Sequence, residues 1–153
     1  MAINLSVDQS IQLKSILISL VCIFEKLLDI TRQRQKSILN MEWNNVFYLA
    51  NEQAEIVEFL NKKDNELKEF YGVLKKIEDK DIINLKKKLK EMVEEYKQME
   101  YTNSQLLNDH LFTAKQKLEK LFNIKGNNDT YTREMKKTSN IWENSSVVLN
   151  KVI

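Results

Sequence analysis

The chain has 153 residues, about the size of one domain, and a formal net charge of +2. Acidic and basic side chains are mixed along its whole length and no segment is polycationic, which argues against a nucleic-acid-binding protein. The longest apolar stretch, residues 16–24, is about half the length that spans a bilayer, which argues against membrane insertion.

The residue types that punctuate turns and strands are scarce in this sequence. It contains no proline and two glycines, while 42% of its residues are apolar and 30% are charged. Such a composition is typical of a few long helices packed as a bundle or coiled coil, so we expect an all-α fold. The single cysteine allows no intrachain disulfide. The N-terminus lacks the basic region of a signal peptide, and a cytoplasmic location is expected.

The first predicted helix covers residues 6–39. Ser6 and Gln9 have the spacing of a capping box, in which each side chain satisfies a free N–H group at the start of a helix. Two adjacent apolar seams follow, which predicts neighbours on two sides of this helix. The first seam is Leu13, Ile16, Leu20, Ile23, Leu27 and Ile30, and the second is Leu17, Val21, Phe24 and Leu28.

The second predicted helix covers residues 42–77. Asn40 is a favourable N-cap residue, but no glycine or proline forces a turn there, so either a turn or a bent continuous helix fits the sequence. A heptad pattern runs from Trp43 to Leu74 and is interrupted by the polar residues Gln53 and Asp64. Gly72 lies inside this helix and disfavours it by about 1 kcal/mol relative to alanine.

The third predicted helix covers residues 80–125, and Asp79 or Asp81 can cap it. The step from Asn103 to Leu107 is a four-residue stutter, after which the apolar seam is shifted. The first part of the seam is Ile82, Leu85, Leu89, Met92, Tyr96, Met99, Asn103, Leu106 and His110, and the second is Leu107, Leu111, Ala114, Leu118 and Leu121.

The tail, residues 127–153, follows Gly126, a suitable helix-ending residue, and differs in character from the bundle of residues 1–126. Residues 127–139 are polar, whereas residues 140–152 have the apolar spacing of a short amphipathic helix or flexible tail segment. Trp142 in this segment is either a core anchor for its own helix or a binding hot spot. The apolar face consists of Ile141, Trp142, Ser145, Val148, Leu149 and Val152.

We find no pattern that indicates an enzyme, a metal site or a cofactor. His110 is the only histidine, and with Tyr96 and Asn103 at seven-residue spacing it is expected to form a polar layer that fixes helix register. Cys22 lies in the most apolar stretch and is expected to be buried and inert. The lysine-rich residues 86–90 are followed by glutamates one turn later, which favours a solvated face.

The order of these parts resembles the FlgN family of flagellar export chaperones. Residues 35–39 (Gln-Lys-Ser-Ile-Leu) resemble the family pattern Lys-x-x-Ala-Leu, with Gln for Lys and Ile for Ala. Residues 46–54 resemble its Leu-x-x-Leu-x-x-x-(Lys/Gln)-(Glu/Ala) run, with Val for the first Leu. Residues 103–107 match Asn-x-x-Leu-Leu. Tyr131 matches the tyrosine of the tail, although the glycine often found after it is absent, and residues 145–152 resemble the hydrophobic and basic terminus.

This resemblance implies a cytoplasmic chaperone of the type III export system that builds the flagellum. It would bind the C-terminal amphipathic helix of the hook-associated proteins, which form the hook–filament junction, prevent their aggregation and deliver them to the export gate. The tail tyrosine of the family is linked with contact to the gate, a role that falls to Tyr131. We expect the cargo to bind where the longest helix outreaches its neighbours, together with the tail, at Leu111, Leu118, Leu121, Phe122, Ile141, Trp142, Val148 and Leu149.

Heptad helices fit a second class of protein equally well. A homo-oligomeric coiled-coil structural or scaffold protein would show the same periodicity in its three long helices. The feature that favours the chaperone is the tail, because a structural rod has little use for an amphipathic segment that carries a tryptophan. The fold expected under either hypothesis is an elongated antiparallel bundle of three long helices.

Overall fold

The computed structural model describes residues 5–122 of the chain, and within this range every regular element is helical. Three long helices confirm the predicted all-α fold. The predicted tail 127–153 and its segment 140–152 lie outside the described residues, as do the last three residues of the predicted third helix. The elements are α1 (Val7–Leu39), α2 (Trp43–Leu67), a 3-10 helix (Lys68–Phe70), α3 (Tyr71–Leu74) and α4 (Lys80–Phe122).

The start of α1 is the capping box that the sequence predicts. The backbone N–H of Gln9 donates to Ser6 Oγ at 3.2 Å, and the backbone N–H of Ser6 donates to Gln9 Oε1 at 3.2 Å. Two N–H groups that a helix start leaves free are thereby satisfied. The helix then continues for 33 residues, or about 50 Å.

A tight turn separates α1 from α2, so the alternative of one bent helix is wrong. The predicted role of Asn40 is also wrong, because it ends α1 instead of capping α2: its N–H donates to Lys36 O at 3.0 Å. The chain reverses one residue later at Met41, whose φ of 58° lies in the left-handed region. Glu42 is the N-cap of α2 and forms no side-chain capping bond.

The predicted second helix 42–77 is interrupted in the structure. The α-helical hydrogen bonding of α2 ends at Leu67 and gives way to the tighter 3-10 helix before α3. Gly72, a weak helix former, lies in α3, and a Cβ built on it would have no neighbouring atom within 4 Å. No packing requirement therefore explains this glycine, whereas its low helix propensity fits a helix that breaks here.

Lys86 corrects the prediction that the whole lysine cluster 86–90 is a solvated face. Its Nζ donates to the carbonyl of Leu74 at 2.7 Å and so satisfies a backbone group at the end of α3. Partial burial, followed by the nearby charge of Lys75, lowers the pKa of Lys86 below its ordinary value. Lys87, Lys88 and Lys90 are exposed, as predicted.

Asp79 caps α4, which resolves the choice between Asp79 and Asp81. Its Oδ1 accepts from the backbone N–H groups of Asp81 at 2.9 Å and Ile82 at 3.4 Å. Its Oδ2 lies 3.2 Å from Lys14 Nζ, so the start of α4 is tied to α1. The Lys14 ammonium, together with the backbone N–H groups, holds the pKa of Asp79 below its ordinary value.

The helices are arranged up, down and up, with α1 between the other two long helices. Ion pairs join α1 to α4 and to its capping residue Asp79, and their residue numbers rise together along both helices: Lys14–Asp79, Glu25–Lys88 and Arg32–Glu95. α1 and α4 are therefore parallel, and α2 runs antiparallel to both. The predicted neighbours on two sides of α1 are confirmed, because it packs against α2 and α4.

The core is formed mainly by the predicted seams. Leu13, Leu17, Leu20, Leu27 and Leu89 are completely buried. At about 1.5–3 kcal/mol for each fully buried aliphatic side chain, this core accounts for the greater part of the favourable folding free energy. The remaining buried members of the core cluster are Ile16, Val21, Phe24, Leu28, Val57, Leu60, Leu67, Phe70, Leu74, Ile77, Ile82, Met92, Val93 and Tyr96.

Candidate partner-binding surface

The contact between Trp43 and His110 marks the level at which α4 leaves the bundle. Trp43 is the first residue of α2, and its ring meets the His110 ring edge-to-face with centroids 5.2 Å apart. α4 continues beyond this contact from Leu111 to Phe122. These residues, which we call the overhang, add about 18 Å of helix past the turn between α1 and α2.

The overhang continues the face of α4 that is buried lower down. With about 100° of rotation per residue, Leu107, Leu111, Ala114, Leu118 and Leu121 fall on the same side of α4 as the buried Leu89 and Tyr96. The exposed fraction of the side chain is 0% at Leu89, 54% at Leu118 and 75% at Leu121. The same apolar stripe therefore passes from a packed environment to one without neighbours among the described residues.

The predicted cargo-binding residues divide into two groups. Leu118, Leu121 and Phe122 are exposed on the overhang, as expected of a helix that outreaches its neighbours, and Leu111 is half-buried at its base. The structure brings these four together on one element. The other predicted residues, Ile141, Trp142, Val148, Leu149 and the gate-contact residue Tyr131, lie outside the described residues.

Two lysines border the apolar stripe, and neither is among the cargo-binding residues predicted from the sequence. Lys115 and Lys117 fall about 80° to either side of the stripe, at the positions that flank a heptad seam. Within residues 5–122 neither of them forms an ion pair. The signal that identifies them is their position relative to Leu111, Ala114 and Leu118, once that face is known to be the open one.

A buried polar layer lies below the overhang, where the three long helices meet. Gln53 is central to it: its Nε2 donates to Thr31 Oγ1 at 2.8 Å and to Glu100 Oε1 at 2.9 Å, and its Oε1 accepts from Arg34 Nη1 at 3.0 Å. Asn103 Nδ2 donates to the carbonyl of Thr31 at 3.3 Å. These bonds fix the register of α4 against α1 and α2, and hence the length of helix that projects.

The predicted polar layer of Tyr96, Asn103 and His110 is therefore only partly right. Asn103 belongs to the layer, and Tyr96 lies close enough for the charges of Glu100 and Arg34 to act on it, while its ring packs against the Phe24 ring with centroids 6.5 Å apart. His110 contacts Trp43 instead. The seven-residue spacing identified the correct face of α4, but the partners of the layer come from α1 and α2.

A second apolar stripe lies on the outer face of α1, opposite the core. Val7, Ile11, Ile18 and Cys22 are exposed there, so the prediction that Cys22 is buried is wrong. Cys22 falls outside both predicted seams of α1, on the side opposite the middle of the two, so the periodicity places it away from the core although the stretch around it is apolar. We call these four residues the outer stripe of α1.

Within residues 5–122 no three His, Cys, Asp or Glu side chains are arranged to hold a metal ion. In that same part of the chain, no helix has the length and apolarity needed to cross a membrane.

Comparison of the chain with protein-family models, with curated proteins and with solved structures finds no match.

Proposed function

We propose that this protein is a cytoplasmic export chaperone of the FlgN type, which binds the C-terminal amphipathic helix of hook-associated junction proteins. The observation that supports this proposal is the apolar stripe of the overhang, which leaves the core and stays exposed over its last turns. Exposed apolar surface of this kind is a common feature of sites that bind protein partners.

The physical basis is packing of one helix against another. A free amphipathic helix of a secreted protein presents an apolar face that favours aggregation, and an apolar stripe on a fixed helix can cover that face. The polar layer around Gln53 holds α4 in register, so the overhang is presented to cargo as a preformed surface. In this proposal Ile141, Trp142, Val148 and Leu149 of the tail also contact the cargo, and Tyr131 contacts the export gate.

Calorimetric titration of the full-length chain with a peptide of the junction protein's C-terminal helix tests the proposal. We expect one-to-one binding. Leu118→Lys should weaken it by at least about tenfold, because a charge would be placed in the apolar contact. Trp142→Ala should cost on the order of 2 kcal/mol, roughly thirtyfold, if this aromatic side chain anchors the cargo.

Phe59→Lys is the matched control for Leu118→Lys. Phe59 is a similarly exposed apolar side chain, 60% exposed, but it lies on α2, away from the overhang. It should leave binding unchanged. A wild-type chain that does not bind the junction proteins of its own organism would contradict the proposed function. Binding that is insensitive to Leu118→Lys would instead contradict the placement of the site.

The second candidate is a homo-oligomeric coiled-coil structural protein, which the outer stripe of α1 favours. Val7, Ile11, Ile18 and Cys22 form an apolar face that a second copy can cover. Sedimentation of the full-length chain over a range of concentrations separates the two functions. A stable oligomer that Ile18→Lys converts to monomer would support the structural protein, and a monomer at all concentrations would support the chaperone.

A further inference from the structure

The edges of the overhang's apolar stripe carry charge of one sign. Lys115 lies at one edge and Lys117 at the other, whereas the nearest carboxylates in sequence, Asp109 and Glu119, fall more than about 100° from the centre of the stripe. Lys117 is exposed and Lys115 is half-buried. A helix that packs on the stripe therefore meets an ammonium group on both sides and no carboxylate.

We propose that the overhang selects an amphipathic helix whose apolar stripe is bordered on both sides by Asp or Glu. This inference rests on the proposed function, because it specifies the chemistry of the cargo helix at the same site. In paired helices, the residues that flank the seam determine which partner is accepted, since they face each other across the contact. Carboxylates placed there pair with Lys115 and Lys117.

Charge also argues against two other occupants of the stripe. Pairing with the overhang of a second copy would bring four lysines to the edges of the contact and no carboxylate to balance them. The tail segment 140–152 carries one carboxylate, Glu143, and one ammonium group, Lys151, so it offers no excess of negative charge. A separate helix with acidic flanks complements the overhang better than either.

The apolar stripe and the lysines have different roles in this arrangement. Burial of Leu118 and Leu121 supplies most of the affinity for any amphipathic helix of suitable length. Exposed ion pairs contribute little affinity individually, but like charges facing each other penalise the wrong partner. The lysines therefore act on specificity, and their effect should weaken as salt screens the charges.

Two designed peptides measure this selectivity directly. Both have the same leucine heptad core over three heptads, and one carries Glu at every flanking position where the other carries Lys. Titrated into the full-length chain, the Glu peptide should bind roughly tenfold more tightly than the Lys peptide at low salt. The ratio should fall towards one at about 1 M salt, where the screening length is only a few ångströms.

The double variant Lys115→Glu, Lys117→Glu should reverse the preference, so that the Lys peptide binds more tightly. The control is Lys120→Glu, which makes the same substitution once on the same helix, about 140° from the centre of the stripe. It should leave the preference for the Glu peptide intact. Circular dichroism of each variant checks that the helices remain folded.

Several outcomes separate this inference from the proposed function. Equal binding of the two peptides, or a control that shifts the preference as much as the double variant, overturns the inference. If neither peptide binds while a junction-protein helix does, the inference fails and the chaperone function stands. If the Glu peptide is selected and no junction protein binds, the inference stands and the proposed function fails.

Discussion

The ring of Trp43 at the start of α2 lies edge-to-face against the ring of His110 in α4, with their centroids 5.2 Å apart. Towards Asn103, the face of α4 that carries the apolar seam is packed on α1 and α2. Beyond His110, α4 extends past the turn that joins those two helices. This one contact therefore divides α4 into a part that packs against the other helices and a part whose apolar face is exposed among the described residues.

A Leu→Ala substitution should have different effects in the two parts of α4, before and after His110. Leu89→Ala should lower the free energy of unfolding by about 2–5 kcal/mol, because Leu89 is completely buried. Leu118→Ala should change it by less than about 0.5 kcal/mol, because Leu118 is 54% exposed. Urea denaturation of both variants measures the difference. A comparable loss at both positions would show that the overhang is packed in solution.

The polar layer should be sensitive to removal of its central residue. Gln53→Ala removes the amide that bonds to both Arg34 and Glu100, which still contact each other at 3.7 Å, so we expect the free energy of unfolding to fall by about 1–3 kcal/mol. Asn61→Ala is the control, because Asn61 is an exposed amide on the same helix. Equal effects in denaturant titration would mean that the layer adds no stability beyond helix propensity.

Asp64 should destabilise the native state when it is ionised. It is buried and accepts a hydrogen bond from the Tyr71 hydroxyl at 2.7 Å, yet burial raises its pKa above the ordinary 3.8. With a folded pKa above the unfolded one, the favourable contribution is complete below pH 3.8 and is lost as pH rises through the folded pKa. Asp64→Asn should therefore be more stable than wild type at neutral pH, with the difference disappearing in acid.

This pH dependence is measured from urea midpoints of wild type and Asp64→Asn between pH 3 and pH 8. Glu66→Gln removes an exposed carboxylate of the same helix and serves as the control. Equal midpoints of Asp64→Asn and wild type at neutral pH would indicate that the hydrogen bond from Tyr71 fully offsets the cost of burying the charge.

Asp79 should have the opposite pH dependence. The Lys14 ammonium and two backbone N–H groups lower its pKa, so its contribution to stability is present above the ordinary pKa of 3.8 and is lost as pH falls through the lowered value. Asp79→Ala should lower the urea midpoint at neutral pH and leave it nearly unchanged in strong acid. A deficit of the same size at both extremes would show that the carboxylate charge is unimportant there.

The exposure of Cys22 is directly measurable. Its thiol should react with Ellman's reagent in the native protein at a rate within about tenfold of that in guanidinium, without loss of helical circular dichroism. The protein contains one cysteine, so the signal is unambiguous. Protection by several orders of magnitude would mean that the outer stripe of α1 is covered in solution, as it would be in a homo-oligomer.

Features that depend on local spacing could be predicted from the sequence. The capping box of Ser6 and Gln9 and the seams of α1 follow from rules that involve residues a few positions apart. The length of the third helix relative to the other two also predicted that Leu118 and Leu121 would lack neighbours. No comparable local rule identifies contacts between residues far apart in sequence.

Some predictions were wrong or incomplete because they depended on contacts between residues far apart in sequence. Lys86 bonds to a carbonyl twelve residues earlier, across the connection between α3 and α4, and its long side chain gives no periodic signal. Cys22 is a different kind of error, because it lies outside both seams of α1 and the periodicity already placed it away from the core. Lys115 and Lys117 gain significance only when the open face of α4 is known, because in the sequence they look like any solvated lysines.

The parallel arrangement of α1 and α4 has a consequence for synthesis of the chain on the ribosome. α1 emerges first with apolar surface on two sides, but only one side can be covered when α2 folds back on it. The other side waits for α4, and the buried bond from Asn103 to Thr31 joins residues 72 positions apart. More than half of the chain must therefore leave the ribosome before both core-facing sides of this helix are covered, so the nascent protein exposes an aggregation-prone apolar surface for seconds at ordinary rates of translation.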